Sequence, residues 1–204
     1  VLNPPASVAG TRLSPLDGKN FNRCFPGDPA GSVCEITADF VSRTLIPLAD
    51  MVIDLHTGGR GVVFEPCAHM HWVDDPAQRS RMAAATAAFG TDLAFLYADV
   101  AGETLTADIH ELCQGGVRRV LRHIGLLRDQ AEVTLPRGGR PPRWVQALNR
   151  EDYMFSAESG LFEPCVALGS DVKAGAILGA LHFPQSPDRD PLVQRATADG
   201  VVVA

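Results

Sequence analysis

Two polar stretches in the first sixty residues carry side chains of the kinds that bind metals and carboxylates. Asp54-Leu55-His56-Thr57-Gly58-Gly59 puts a histidine after the apolar run Met51-Val52-Ile53, just ahead of a glycine turn. The run reads as a buried strand, and open α/β sheets bind ligands at the carboxyl ends of their strands. An imidazole placed there can hold a metal through one nitrogen while a carbonyl or carboxylate orients the other. A histidine merely satisfied at a strand terminus is the equal alternative. Asn20-Phe21-Asn22-Arg23-Cys24-Phe25-Pro26-Gly27 is the second stretch. Arg23 can grip a carboxylate with a two-pronged fork, and the Asn22 amide can donate a further hydrogen bond. Taken alone, a solvated loop arginine explains the same residues. Arg12 and Asp17 lie in the same polar loop.

The elements that must position these residues follow from pattern. Residues 1–31, rich in Gly, Pro, Asn and Asp, read as loop. Ser32 and Glu35 form a capping box that opens a helix, whose apolar stripe is Ile36, Phe40, Val41, Thr44, Leu45 and Leu48, with Pro47 near its end. Residues 51–55 and 61–67 are expected as strands. Asp75-Pro76 caps a helix over 76–89, and Leu93 to Tyr97 reads as a further strand. A long amphipathic helix is expected over 109–124, with Asp108 before it and Gly125 after it. Strands alternating with helices predict an α/β fold with a largely parallel sheet. The Gly/Pro/Arg stretch Pro136 to Arg143 reads as linker. Beyond it, apolar runs punctuated by glycine predict a small all-β appendage. The expected organisation is therefore a core at 1–128, a linker at 129–151 and a β-rich appendage at 152–204.

Composition narrows the partners. Lys and Arg total 18 against 24 Asp and Glu, a formal net charge of −6, which argues against duplex nucleic acid and anionic membrane as partners. No apolar run approaches the ~20 residues of a membrane-spanning helix. The start lacks the basic and apolar regions of a signal peptide, and it opens on Val1 rather than Met, so the natural N-terminus is expected upstream. Five irregularly spaced cysteines make neither a disulfide framework nor a zinc knuckle; reduced thiols and a cytoplasmic location are expected. His69 and His71 share a face if their segment is a strand, but they lack a third ligand. His110, His123 and His182 read as structural or solvated. Lys173 sits in a turn similar to those of biotinyl and lipoyl domains, without the flanking methionines of an attachment site.

Gly10-Thr11-Arg12, Asp17-Gly18, Asn20 to Arg23, Phe25-Pro26-Gly27 and Asp54 to Gly59, in that order and spacing, resemble the succinylglutamate desuccinylase/aspartoacylase family of zinc carboxypeptidase-like deacylases. The subgroup of N-acetyl-diaminobutyrate deacetylases is the most similar. Phe155 to Val203 resembles the family's C-terminal β-domain, and 60–107 is the least distinctive part. The resemblance implies a three-layer α/β/α core with a mixed, largely parallel sheet and a small C-terminal β-domain. It also implies hydrolytic removal of a short acyl group from an N-acyl amino acid. By position, His56 would be the last of three Zn2+ ligands, Arg12 would stabilise the oxyanion, and Asn22 with Arg23 would hold the substrate carboxylate. The three are expected to share one pocket with His56. Whether the protein is a homo-oligomer stays open.

Departures from the family pattern accompany the likeness. The family's first two zinc ligands, a His and a Glu three residues apart, fall upstream of the position matching Val1, and no H-x-x-E occurs in the sequence. The family's general-base Glu lies in an E-L-G-G segment, whereas here Ala107 runs directly into Asp108-Ile109, as if a loop near 106–109 were missing. Glu111 lies inside the helix and reads as a capping residue. A degenerate, metal-free homologue that binds small carboxylates is the alternative reading. A peptide carboxypeptidase shares the metal chemistry but fits less well with an appendage that would narrow the pocket.

Overall fold

The computed structural model describes residues 2–56, 63–97, 107–128, 140–149 and 152–204. The chain divides into two compact units, Val1–Leu55 and His56–Ala204.

The first unit is built from helices and turns. Helix α1 (Pro4–Ala9) lies in a stretch expected to be loop. Its ends are nonetheless conventional. The Asn3 side chain accepts the Ala6 N–H at 3.3 Å, prolines fill the first helical positions, and Gly10 ends the helix in the left-handed region at φ 61°. Six residues are too few for an apolar period to show. Helix α2 (Val33–Phe40) opens where the Ser32–Glu35 pair predicts. Past Phe40 the chain winds on through a widened turn, in which the Ile46 N–H reaches the Val41 carbonyl five residues back. A tight turn over Ile46–Leu48, with Pro47 inside it, ends the winding.

The strand expected at 51–55 does not form. A strand needs a hydrogen-bonded neighbour, and the described residues of this unit contain none. Val52 is 61% exposed and Leu55 51% exposed, so among the described residues His56 follows an exposed extended segment rather than a buried strand.

The second unit holds the sheet. Strands β1 (Cys67–His71), β2 (Leu93–Tyr97) and β3 (Arg143–Ala147) lie side by side in that order, all parallel. Strand β1 begins where the expected 61–67 strand was to end. Strand β3 falls within the stretch expected as linker. Its short Trp144-Val145 run is flanked by prolines and charge, and only pairing with β2 makes it a strand. Helix α3 (Pro76–Phe89) crosses from β1 to β2 as expected, with Asp75 accepting the Ala77 N–H at 3.0 Å and Gly90 ending it at φ 90°. Helix α4 (Ala107–His123) starts two residues earlier than expected, with Asp108 inside it. The chain break expected near 106–109 does not occur at Ala107-Asp108, because α4 runs through both residues; residues 98–106 lie outside the described part. Two crossovers stepping the same way across a parallel sheet place both helices on one face, and α3 packs against both α4 and β1.

The opposite face of the sheet is covered by the chain's end. Phe95 and Ala147 are buried there, packed by Cys67, Val145, Tyr153 and Val203. Backbone hydrogen bonds from Glu65 N–H to the Val203 carbonyl (2.9 Å) and from Gly169 N–H to the Val202 carbonyl (2.8 Å) hold the segment in place. As predicted, the C-terminal stretch is antiparallel β: β4 (Leu161–Pro164), β6 (Ile177–His182) and β7 (Leu192–Arg195) form one sheet, β5 (Asp171–Val172) and β8 (Gly200–Val201) a second. No helix among the described residues is long and apolar enough to cross a membrane.

Two adjacent glycines in α4 have opposite requirements. A Cβ on Gly116 would lie 2.3 Å from the Phe89 ring, where α4 crosses α3, whereas one on Gly115 would meet only the guanidinium tip of Arg119 at 3.0 Å. Gly116→Ala should therefore lose stability by about 1–3 kcal/mol through overpacking, against the gain of up to ~1 kcal/mol that helix propensity offers. Gly115→Ala should be neutral or slightly stabilising. Urea midpoints of the two variants measure the contrast.

Candidate functional site

Arg12, Asn22 and Arg23 all lie in the loop of the first unit that runs from α1 to α2. Arg12 is exposed and follows the left-handed Gly10 by two residues. Its segment is held by the Thr11 N–H on the Ala6 carbonyl (3.1 Å) and the Thr11 hydroxyl on the Leu13 carbonyl (2.8 Å). The chain then folds into a closed turn. Ser14 N–H donates to the Lys19 carbonyl and Gly18 N–H to the Ser14 carbonyl, both at 2.8 Å, with Ser14 only 1% exposed and Gly18 at φ 68°.

Asp17, inside that turn, reaches 17 residues forward to the start of α2. Its carboxylate accepts the Cys34 N–H at 2.8 Å, the Cys34 thiol at 3.2 Å and the Lys19 N–H at 3.1 Å. These donors, led by the Cys34 N–H, hold the Asp17 carboxyl far below the usual range. Glu35 supports the same helix end. It accepts the Ser32 N–H at 2.8 Å and pairs with Lys19 at 2.6 Å, which lowers its pKa to about 2. The Ser–Glu pair was legible in sequence as a helix start. The role of Asp17 was not, because nothing local marks an aspartate as the cap of a helix 17 residues away.

Asn22 and Arg23 sit on a tight helical turn, Phe21–Arg23, and both are exposed. Asn20 caps it by accepting the Asn22 N–H at 3.2 Å. The rings of Phe21 and Phe25 meet edge to face at 5.3 Å beneath the turn, a favourable aromatic geometry. Gly27 closes the loop against α2 at φ 101°. A Cβ there would stand 2.0 Å from the Asp39 nitrogen, so no side chain fits.

The metal side is less complete. His56 is half-buried and belongs to the second unit, and Thr57 to Gly61 lie outside the described residues. Among the described residues, no group of three or more His, Cys, Asp or Glu could hold a metal ion. His69 and His71 do share a face of β1, in register with Phe95 and Tyr97 of β2. His110 and His123 are exposed on α4, and His182 pairs with Glu163 at 2.8 Å. Glu111 is exposed, inside α4.

Other chemistry has less support. All five cysteines are free, and burial pushes the Cys67 thiol up to about 11, the wrong direction for a nucleophile. A cleft of about 410 Å³ in the second unit is lined by Arg143, Asp171, Lys173 and Asp199. Its charges already pair as Arg143–Asp171 (2.6 Å) and Lys173–Asp199 (2.7 Å).

Comparison with known proteins decides the family. Residues 1–131 match the succinylglutamate desuccinylase/aspartoacylase catalytic domain. The chain belongs to that family. Over its whole length it is 33% identical to N-alpha-acetyl-L-2,4-diaminobutyric acid deacetylase of Halomonas elongata, and it spans 65% of that relative. Among solved structures, a succinylglutamate desuccinylase/aspartoacylase of Rhodobacter sphaeroides superposes with a TM-score of 0.87 at 32% identity, covering 100% of this chain and 67% of that one. The product-bound ectoine utilization protein EutE (DoeB) of Ruegeria pomeroyi gives 0.85 at 29% identity, with the same coverage. The fold of the desuccinylase/aspartoacylase family is thus the fold of this chain, C-terminal β-sheets included.

Acid should loosen the loop–helix junction of this family member. Asp17 and Glu35 have lowered pKa values, so each stabilises the folded state above its unfolded value and loses that contribution as pH falls. For Glu35 the window runs from its ordinary 4.5 down to about 2. The urea midpoint of the wild type should fall across that range. Asp17→Asn should begin lower at pH 7 and fall less steeply on acidification.

Proposed function

We propose that this chain is the greater part of an amidohydrolase that removes a short acyl group, acetyl or similar, from the nitrogen of a free amino acid. The observation that carries this reading is the likeness, over the whole of this chain and 65% of the relative, to a deacetylase of an N-acetylated amino acid, joined to an Arg–Asn pair displayed on a fixed turn. The substrate class is a small N-acyl amino acid.

Arg23 and Asn22 would bind the substrate's carboxylate, the guanidinium through two parallel N–H donors and the amide through a third. Such a clamp fixes the scissile amide relative to the reacting groups and lowers the entropic part of the barrier. Arg12 would donate to the carbonyl oxygen as negative charge gathers on it. A donor held in place before that charge develops is worth more than one that must reorganise. Zinc is the metal that the family likeness implies, and His56 would give one of the three protein ligands that hydrolytic zinc takes. The described residues supply no second and third ligand, so the steps assigned here are confined to Arg12, Asn22 and Arg23.

Metal analysis of the full chain, followed by amine release from a panel of N-acetyl amino acids, tests the proposal. Bound zinc with turnover of a free N-acetyl amino acid supports it. Saturable binding of small carboxylates without turnover would instead make the chain a carboxylate-binding module.

Arg23→Lys tests the clamp within that reaction. The ammonium keeps the charge but not the planar fork. One hydrogen bond to a charged group is worth roughly 1.5–3 kcal/mol, so kcat/KM should fall about 10- to 150-fold. Zinc content and Tm should stay as in the wild type, because Arg23 is assigned neither to the metal nor to the core. An unchanged kcat/KM would remove Arg23 from the site.

A further inference from the structure

Asn22 and Arg23 are both held at the backbone by one residue, Asn20. The Asn22 N–H donates to the Asn20 side-chain oxygen at 3.2 Å, and the Arg23 N–H donates to the Asn20 carbonyl at 2.9 Å. The Cys24 thiol adds a contact on that carbonyl at 3.4 Å, and the Cys24 N–H closes the turn on the Phe21 carbonyl at 3.0 Å. Asn20 is anchored in its own right from the residue before it. The Lys19 N–H donates to Asp17 at 3.1 Å, and the Lys19 carbonyl accepts the Ser14 N–H at 2.8 Å. Asn20 is half-buried, whereas Asn22 and Arg23 are exposed. A helical turn of three residues has too few internal bonds to persist alone. Removing the Asn20 side-chain oxygen leaves the Arg23 and Cys24 N–H bonds in place but releases the Asn22 N–H to water. Serine makes the same contact elsewhere in the chain: Ser14 Oγ accepts the Leu16 N–H at 3.4 Å and Ser156 Oγ the Glu158 N–H at 3.3 Å.

We propose that Asn20 is the positioning residue of the carboxylate clamp: its two oxygens take the backbone N–H groups of Asn22 and Arg23, and so fix the amide and the guanidinium in the relative placement that one carboxylate needs. The inference rests on the proposed function, which assigns those two side chains to the substrate. The guanidinium offers two parallel donors and the amide a third, so a change in the backbone angle between the two residues costs at least one of the three bonds. A turn ordered before the substrate arrives also spares the binding step the cost of ordering it. Asn20 touches neither substrate nor metal in this scheme. Its effect falls on binding, which both ground and transition state share, rather than on the chemical step.

Asn20→Ser and Asn20→Ala, made in the full chain, differ only by the oxygen that can accept the Asn22 N–H. N-acetylglycine, a small N-acetyl amino acid with a free carboxylate, is titrated into each while the backbone amide signals of Asn22 and Arg23 are followed by NMR, a readout that needs no turnover. Asn20→Ser should bind within about threefold of the wild type, and Asn20→Ala about 3- to 30-fold more weakly than Asn20→Ser, the range that loss of a side-chain cap spans. The Asn22 amide should exchange with solvent faster in Asn20→Ala than in Asn20→Ser. In turnover, Asn20→Ala should raise KM and leave kcat as in Asn20→Ser. Arg23→Lys serves as the control for the clamp. If Arg23→Lys weakens binding while Asn20→Ala binds as tightly as Asn20→Ser, the clamp stands and Asn20 has no positioning role. If the wild type does not bind N-acetylglycine, or Arg23→Lys binds it equally well, the clamp reading fails and the positioning role falls with it. Equal Asn22 exchange in the two Asn20 variants, or a loss of kcat at unchanged KM, would also overturn the proposal.

Discussion

The carboxylate of Asp17 at the head of α2 is the contact on which the first unit depends. A helix start leaves four backbone N–H groups without partners inside the helix, and its dipole favours negative charge there. Asp17 meets both needs from a distant turn, taking the Cys34 N–H at 2.8 Å. In doing so it fixes the turn that carries it. Ser14 closes that turn from inside, Lys19 ties it sideways to Glu35, and Gly27 lets the far end of the loop lie against the α2 backbone. Between these anchors the chain presents Asn22 and Arg23 outward. A loop with few buried apolar contacts owes its position to polar ties, and the same ties make it sensitive to acid.

The second unit is organised on different terms. Its parallel sheet is covered by helices on one side and by the C-terminal chain on the other, so neither cover is an independent appendage. Helix α4 crosses α3 at Gly116, and the Arg119 guanidinium donates to the Phe89 carbonyl at 2.7 Å, satisfying the end of α3. On the other face Val203 and Tyr153 pack on Phe95 and Ala147, and the Tyr153 hydroxyl reaches the Ala147 carbonyl at 3.3 Å. Arg143 at the start of β3 pairs with Asp171 at the start of β5, 28 residues on. The C-terminal β-structure thus supplies part of the core beneath the sheet.

Membership of the desuccinylase/aspartoacylase family covers both units, since the matched residues 1–131 run through the first and into the second. The substrate-binding candidates sit in the first unit and the metal candidate at the start of the second. The residues nearest to His56 in sequence, Thr57 to Gly61, fall outside the described part. What the described chain contributes is a rigid presentation of one arginine–asparagine pair and a second arginine, on a scaffold matched over its whole length by solved deacylase-family structures.

Elements with strong local signals could be read from the sequence alone. Asp75-Pro76 and Gly90 bound α3 because an aspartate cap, a proline at the first position and a left-handed glycine each act through adjacent backbone. The β2 run Leu93–Tyr97 is apolar throughout because both faces of its sheet are covered. Arg12, Asn22 and Arg23 were singled out by type, order and spacing, and all three lie in the loop between α1 and α2. Tertiary structure alone decided the rest. Residues 51–55 have the letters of a strand but no ladder partner among the described residues. Residues 143–147 have weak strand letters, yet β2 stands beside them and makes them one. Asp17 became the cap of α2 through contacts that span 17 positions. The physical reason is common to all three cases: caps and turns act within a few residues, whereas strand pairing and loop anchoring depend on partners that only the folded chain brings together.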